Sequence, residues 1–119
     1  MKVKSYEELV VWQKDMLLAK EVYVVQRRLP KEETYALSEQ MRRAVVSIPS
    51  NIAEGQDRDS SKEFVRFLSM ARGSLRELST QLEICERLEF MNSKQTDKAK
   101  GIIEEIDKML NSLSNSLLS

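Results

Sequence analysis

Residues 60–85 read SSKEFVRFLSMARGSLRELSTQLEIC. Within them Phe64, Leu68, Ala71, Leu75, Leu78, Leu82 and Cys85 recur at alternating steps of four and three, the heptad spacing that keeps one apolar line turned towards partner helices. Ser60 and Glu63 stand at capping-box distance, each able to satisfy a free backbone N–H, so a helix is predicted to open there. Gly73 falls inside it, where a glycine permits close approach of a helix or a subunit.

The same periodicity extends outwards. Downstream, after Glu89-Phe90-Met91-Asn92, Ser93 is a candidate cap for a helix with Ala99, Ile103, Ile106, Leu110, Leu113 and Leu117 on one line. Upstream, a helix starting near Glu32 to Tyr35 carries Leu37, Met41, Val45, Ile48 and Ile52, and frays at Gly55-Gln56-Asp57. The first helix has Ser5 as N-cap with Glu8 in capping-box register, and Pro30 stops it after Leu29. Three glycines and two prolines punctuate the chain. The expectation is all-α: one domain over residues 1–119, an antiparallel up-down-up-down four-helix bundle in which short connections make sequential helices neighbours.

Composition bounds what such a bundle does. With 119 residues the chain forms one ordinary hydrophobic core. Lys plus Arg and Asp plus Glu number 19 each, so no global field draws the protein to nucleic acid or membrane, and electrostatic function needs local segregation of charge. The single Cys85 cannot form an intramolecular disulfide, which favours a reducing compartment. The N-terminus meets Glu7 and Glu8 before any apolar run, unlike a signal peptide, and no run is long enough to span a bilayer. A cytoplasmic protein without membrane contact is expected.

Ser47-Ile48-Pro49-Ser50-Asn51-Ile52-Ala53-Glu54-Gly55 sets a proline inside helical spacing. Pro49 removes one backbone hydrogen bond and crowds the carbonyl of Val45, at a cost on the order of 3 kcal/mol in a helix interior. A kinked second helix is preferred to a break, because the 41, 45, 48, 52 spacing runs on and a new helix capped by Asn51 would meet Gly55 too soon. Ser47, Ser50 and Asn51 then serve either as local partners at the bend or as a polar site at an interface. Glu54 is a buried partner for an arginine or a helix-end acid.

The first helix carries two apolar stripes. One holds Leu9, Trp12, Met16, Ala19 and Tyr23; the other holds Val11, Leu18, Val22, Val25 and Leu29. A helix wet on one side needs only one such stripe. The second stripe is therefore assigned to an oligomer interface, the alternative being a core that wraps round both.

Lys62, Arg66, Arg72 and Arg76 lie within an arc of roughly 120° on the third helix, opposite its seam, taking about 100° per residue. Arg42, Arg43 and Arg58 are near in sequence and extend this candidate nucleic-acid face. Phosphate contacts of this kind give affinity without sequence specificity. The competing readings are a solvated face neutralised by Glu39, Glu63 and Glu77, or pairing with acids across a subunit contact.

Catalysis finds little support. There is no histidine, hence no His general base and no Glu-x-x-His pair for a di-iron site. Cys85 sits on the seam as a packing residue. Gly55, Gly73 and Gly101 are too dispersed for a phosphate loop. The acids Glu104, Glu105 and Asp107 read as a solvated face. No enzyme activity, cofactor or metal is expected.

Taken in order, Leu9-Val10-Val11-Trp12-Gln13, Leu29-Pro30, Arg42-Arg43, the Ser47 to Gly55 block, Ser61-Lys62-Glu63-Phe64, Gly73-Ser74-Leu75-Arg76-Glu77-Leu78 and Gln81-Leu82 resemble the four-helix-bundle protein family encoded in 23S ribosomal RNA intervening sequences. Tyr35-Ala36-Leu37 departs mildly from the Tyr-Gly-Leu often found there. More distantly, the chain resembles the accessory variability determinant proteins of diversity-generating retroelements. The resemblance implies a cyclic pentamer, and from those distant relatives contact with RNA or DNA through the basic residues. The alternative function is a structural or adaptor oligomer that binds a protein partner.

Overall fold

The computed structural model describes residues 5–119; the first four residues, part of the N-terminal stretch read above for targeting, lie outside the described residues. Four helices make up the fold: α1 Val10–Gln26, α2 Leu37–Gln56, α3 Ser61–Arg87 and α4 Ser93–Leu118. Single 3-10 turns occupy Tyr6–Glu8 and Lys31–Glu33, and the described residues contain no strand.

The helix ends follow from local hydrogen bonding. Ser60 Oγ accepts from the Glu63 N–H at 3.2 Å and opens α3. Ser5 Oγ accepts from Glu7 at 3.1 Å, so it caps the 3-10 turn and not α1. The cap of α4 is Asn92, one residue before the expected Ser93. Asn92 Oδ1 accepts from the Gln95 N–H at 3.1 Å, and Gln95 Oε1 accepts from the Asn92 N–H at 3.0 Å. Asparagine is among the best N-caps, and the reciprocal pair satisfies two orphan donors together. α1 ends at Gln26, ahead of Leu29, in two 3-10-type bonds from Arg28 to Val25 and from Leu29 to Gln26. At the end of α3, Glu89 takes φ 63°. The Phe90 N–H returns to the Cys85 carbonyl and the Glu89 N–H to Glu86, the Schellman pattern, with glutamate in the position that glycine usually fills.

Each helix packs against two others in the cyclic order α1, α2, α3, α4. Along α1 and α4, Lys14 meets Glu105 and Glu21 meets Lys98; along α3 and α4, Arg72 meets Asp107 and Glu86 meets Lys100. Between α2 and α3, Met41 Sδ lies 3.9 Å from Cys85 Sγ and Ser47 bonds Ser74. In each case rising along one helix descends the other.

The seam residues Leu68, Ala71, Leu75, Leu78, Leu82 and Cys85 are buried, with Phe64 half-buried at the rim. They meet Met41, Val45, Ile48 and Ile52 of α2 and Ala99, Ile103, Ile106 and Leu110 of α4 in one core. α2 is continuous through Pro49, so the chain is not divided there. Gly55 lies in the last turn of α2, which runs on to Gln56, and its role there is packing. A Cβ on it would stand 2.7 Å from Phe67 Cβ and 2.9 Å from Phe64 Cδ1, so only glycine lets α2 and α3 close this tightly.

Candidate functional site

On α1 the structure reverses the assignment of the two stripes. Val11, Leu18, Val22, Val25 and Leu29, expected at an oligomer interface, are in the core of the single chain, none more than 8% exposed. The reason is geometric: both stripes are apolar, and α2 and α4 enclose α1 from the side on which these five project. What remains outside is the other stripe. Trp12 and Ala19 are half-buried, while Met16 is 40% and Tyr23 36% exposed. Trp12, Met16 and Ala19, with Tyr6, Val46, Pro49, Ser50 and Ala53, line a shallow, largely apolar groove between α1 and α2. The Tyr6 and Trp12 rings meet edge to face, 5.4 Å between centroids, and close one end of it. A further exposed line of Val10, Leu17 and Val24 runs down the α4 side of α1.

The polar residues round Pro49 turn inward on the backbone. Ser50 Oγ donates to the Val46 carbonyl at 2.8 Å, and Asn51 Nδ2 donates to the Ser47 carbonyl at 2.9 Å and to Ser47 Oγ at 3.1 Å. Ser74 Oγ of α3 donates to Ser47 Oγ at 2.9 Å. The group thus adds bonds to the helix backbone beside its proline, at the Val46 and Ser47 carbonyls, and pins α2 to α3. Pro49 itself is buried, and Glu54 is exposed with no partner among the described residues.

The basic residues do not form one face. Arg42 donates to Gln26 Oε1 at 2.7 Å and to the Thr34 carbonyl at 3.3 Å, tying α2 to the α1–α2 connection, and its guanidinium is committed to the fold. Arg43 pairs with Glu39 at 2.8 Å. Arg72 leans across to Asp107 of α4 at 3.2 Å, an acid expected from sequence on a solvated face. Arg66 pairs with Glu63 at 3.2 Å, and its guanidinium also lies 5.3 Å from the Phe67 ring centroid, with Arg58 at 4.8 Å on the same ring. Lys62 and Arg76 have no ion-pair partner among the described residues. What the fold assembles is a cluster of Arg58, Lys62 and Arg66 at the α2–α3 end, separate from Arg76.

The chain matches the model of the 23S rRNA-intervening sequence protein over residues 7–112. It belongs to that family. A solved structure of a protein with unknown function, from the S23 ribosomal protein family of Bacteroides thetaiotaomicron, is 27% identical; the match covers 88% of this chain and 98% of that one, with a TM-score of 0.81. No curated protein matches the chain.

Several features of this family member lie outside what the sequence spacing called attention to. Asp15 of α1 is fully buried, and neither carboxylate oxygen has a hydrogen-bond partner among the described residues. Burial without compensation pushes its pKa from 3.8 up to about 8. The signal was present: Asp15 falls four residues after Val11 and three before Leu18, on the buried stripe. Gln81 is a second buried polar residue whose Oε1 has no partner among the described residues. Cys85 is buried beside Met41, and burial raises its thiol to about 11, which suits packing and not nucleophilic attack. Glu105 and Asp107 are engaged by Lys14 and Arg72. Among the described residues no group of three His, Cys, Asp or Glu is placed to hold a metal, and no helix is long and apolar enough to cross a membrane. Gly73, expected to permit close approach within the chain or between chains, faces open space: a Cβ there meets nothing within 4 Å.

Proposed function

We propose that this chain is a non-enzymatic helical scaffold of the cytoplasm that works as a homo-oligomer, with the pentamer implied by the resemblance as its assembled form. The exposed apolar face of α1 and α2 carries this reading. Met16, Tyr23 and Val46 stand 36 to 47% exposed beside the half-buried Trp12, Ala19 and Ala53. Apolar surface left in water forgoes about 25 cal/mol for each Å² that a partner would cover, and patches of this kind mark contact surfaces. Light scattering across a dilution series tests it. The expected mass is a small multiple of the monomer, and Met16→Glu with Val46→Glu reduces it to one chain. A wild-type monomer at micromolar concentration refutes the assembly and points to a different protein as occupant of this face.

Contact with RNA or DNA is the second reading, and the cluster at the α2–α3 end favours it. Arg58 and Arg66 converge on Phe67 beside the unpaired Lys62, offering cations to phosphate on an aromatic platform, repeated in every subunit. Affinity for a duplex is then expected to fall with log salt at about 0.9 per phosphate contacted, or about 0.7 for a single strand. Arg58→Glu with Lys62→Glu flattens that slope. Tight binding that both substitutions leave unchanged removes this site.

A further inference from the structure

Helix α4 outruns α1. The ion pairs Lys14–Glu105 and Glu21–Lys98 fix the antiparallel register and set Val10, the first residue of α1, opposite Met109. Residues 110–118 of α4 therefore extend about 13 Å past the start of α1, at about 1.5 Å per residue. The 3-10 turn Tyr6–Glu8 that precedes α1 packs on α1 and α2 and not on α4, so it leaves this flank open. The result is a groove of about 510 Å³ at the end of the bundle, on the flank of α1 away from the Met16 and Val46 face. Leu9, Val10, Met109 and Leu113 line it with hydrocarbon, and Val10 is 65% exposed. Lys108, Ser112 and Ser116, spaced four apart and exposed, form its polar edge on α4. Among the described residues no carboxylate and no aromatic ring lines it, and Lys108 has no ion pair.

We propose that this groove binds a long-chain fatty acid anion, with the tail along the α1–α4 seam and the carboxylate at Lys108 and Ser112. Three features select this ligand. The volume falls in the range of small-molecule sites, roughly 300 to 1,000 Å³, and the lining has their pattern of hydrocarbon walls with a few polar groups that fix orientation. The charge is complementary to a single anionic head. Lys108 is the one cation in the lining, and the Ser112 hydroxyl one helical turn further on adds a second donor, which matches the two acceptor oxygens of one carboxylate. A polyanion finds no second cation here, and a nucleobase or other flat ring finds no aromatic face on which to stack. Finally, Met109 and Leu113 are only half-buried in the single chain, so a tail laid over them and over Val10 removes apolar surface from water. The site needs no second copy of the chain and takes nothing from the α1–α2 face.

Isothermal titration of the wild-type protein with octanoate, decanoate and dodecanoate, each below its micelle concentration at pH 7, tests the proposal. Each two-carbon step is expected to tighten binding by about tenfold. Val10→Glu, at a position exposed enough to leave the fold intact, sets a negative charge in the groove and abolishes binding. Lys108→Gln weakens decanoate by about tenfold and leaves the uncharged 1-decanol unchanged. Thermal midpoints of both variants at the wild-type value show that the bundle is intact. Absence of saturable heat with dodecanoate overturns the proposal, as does an affinity independent of chain length or one that Val10→Glu leaves undiminished. Two other occupants have signatures of their own. Without binding of free dodecanoate, a lower assembled mass of Val10→Glu in light scattering assigns the groove to a subunit contact, and cosedimentation with phosphatidylcholine–phosphatidylglycerol vesicles assigns it to a membrane surface; either result overturns the proposal.

Discussion

Replacing Asp15 by asparagine isolates a single ionisation in the core. Asp15 has no exposed surface and, among the described residues, no hydrogen-bond partner for either oxygen, and its pKa stands at about 8 in the fold against 3.8 for the free group. The folded state therefore holds a proton that the unfolded chain releases above pH 4. The stability associated with neutral Asp15 is fully present below pH 3.8, declines as pH rises towards 8, and is gone above it. In that interval the slope is about 1.4 kcal/mol per pH unit, or about 4 kcal/mol between pH 5 and pH 8, a large share of the roughly 5 to 15 kcal/mol that holds a domain together. Asparagine has nearly the same shape and does not ionise. Whatever its amide costs in this apolar site is the same at every pH and drops out of the comparison. Urea unfolding of both proteins at pH 5, 6.5, 8 and 9, at one protein concentration because assembly is linked to stability, gives the difference directly. Asp15→Asn is expected to gain about 4 kcal/mol on the wild type between pH 5 and pH 8 and little more at pH 9. A difference that stays constant over this range refutes the reasoning and shows that Asp15 is ionised in the fold through compensation that no static contact supplies.

Three other substitutions probe the fold. Gly55→Ala puts a methyl group 2.7 Å from Phe67 Cβ, and the required separation of α2 and α3 costs about 1 to 3 kcal/mol, read as a lowered denaturation midpoint. Glu89→Gly relieves the left-handed backbone at φ 63° and raises stability by about 1 kcal/mol, measured in the same way; no gain would mean that the Schellman turn carries no strain. Arg42→Ala strands Gln26 Oε1 and the Thr34 carbonyl and lowers stability by about 1 to 2 kcal/mol, while Arg43→Ala, which loses only an exposed pair with Glu39, changes it by less than about 0.5 kcal/mol. Equal effects at the two arginines would contradict the structural division between them.

Much of this was legible in the residues, and the exceptions share a cause. The helices of α2, α3 and α4 are read from apolar spacing because one stripe of each dominates, and packing had only to bury what the period already marked. α1 carries two stripes of similar hydrophobicity, so periodicity states that both exist and cannot rank them; burial of Val11, Leu18, Val22, Val25 and Leu29 depends on where α2 and α4 stand. The basic residues failed as one face for a related reason. Angular position on α3 places Arg72 with Arg66, but Asp107 on α4 is 35 positions away in sequence and draws Arg72 to the other side. Arg42 and Arg43 are adjacent in the chain and separate in role, because successive residues on a helix project about 100° apart.

The sequence by itself determined the family, the all-helical fold and the seams of the last three helices, since these rest on ordered motifs, local propensity and apolar repeats no longer than a heptad. It placed Ser47, Ser50 and Asn51 beside Pro49 and left open whether they serve the bend or an interface. Tertiary structure alone decided which side of α1 meets water, which arginines are free, that Gly55 closes α2 on α3 while Gly73 faces outwards, and that Asp15 and Gln81 sit buried with oxygens unpartnered among the described residues. Each of these depends on atoms brought together from distant parts of the chain, and distance in space is what a one-dimensional period does not contain.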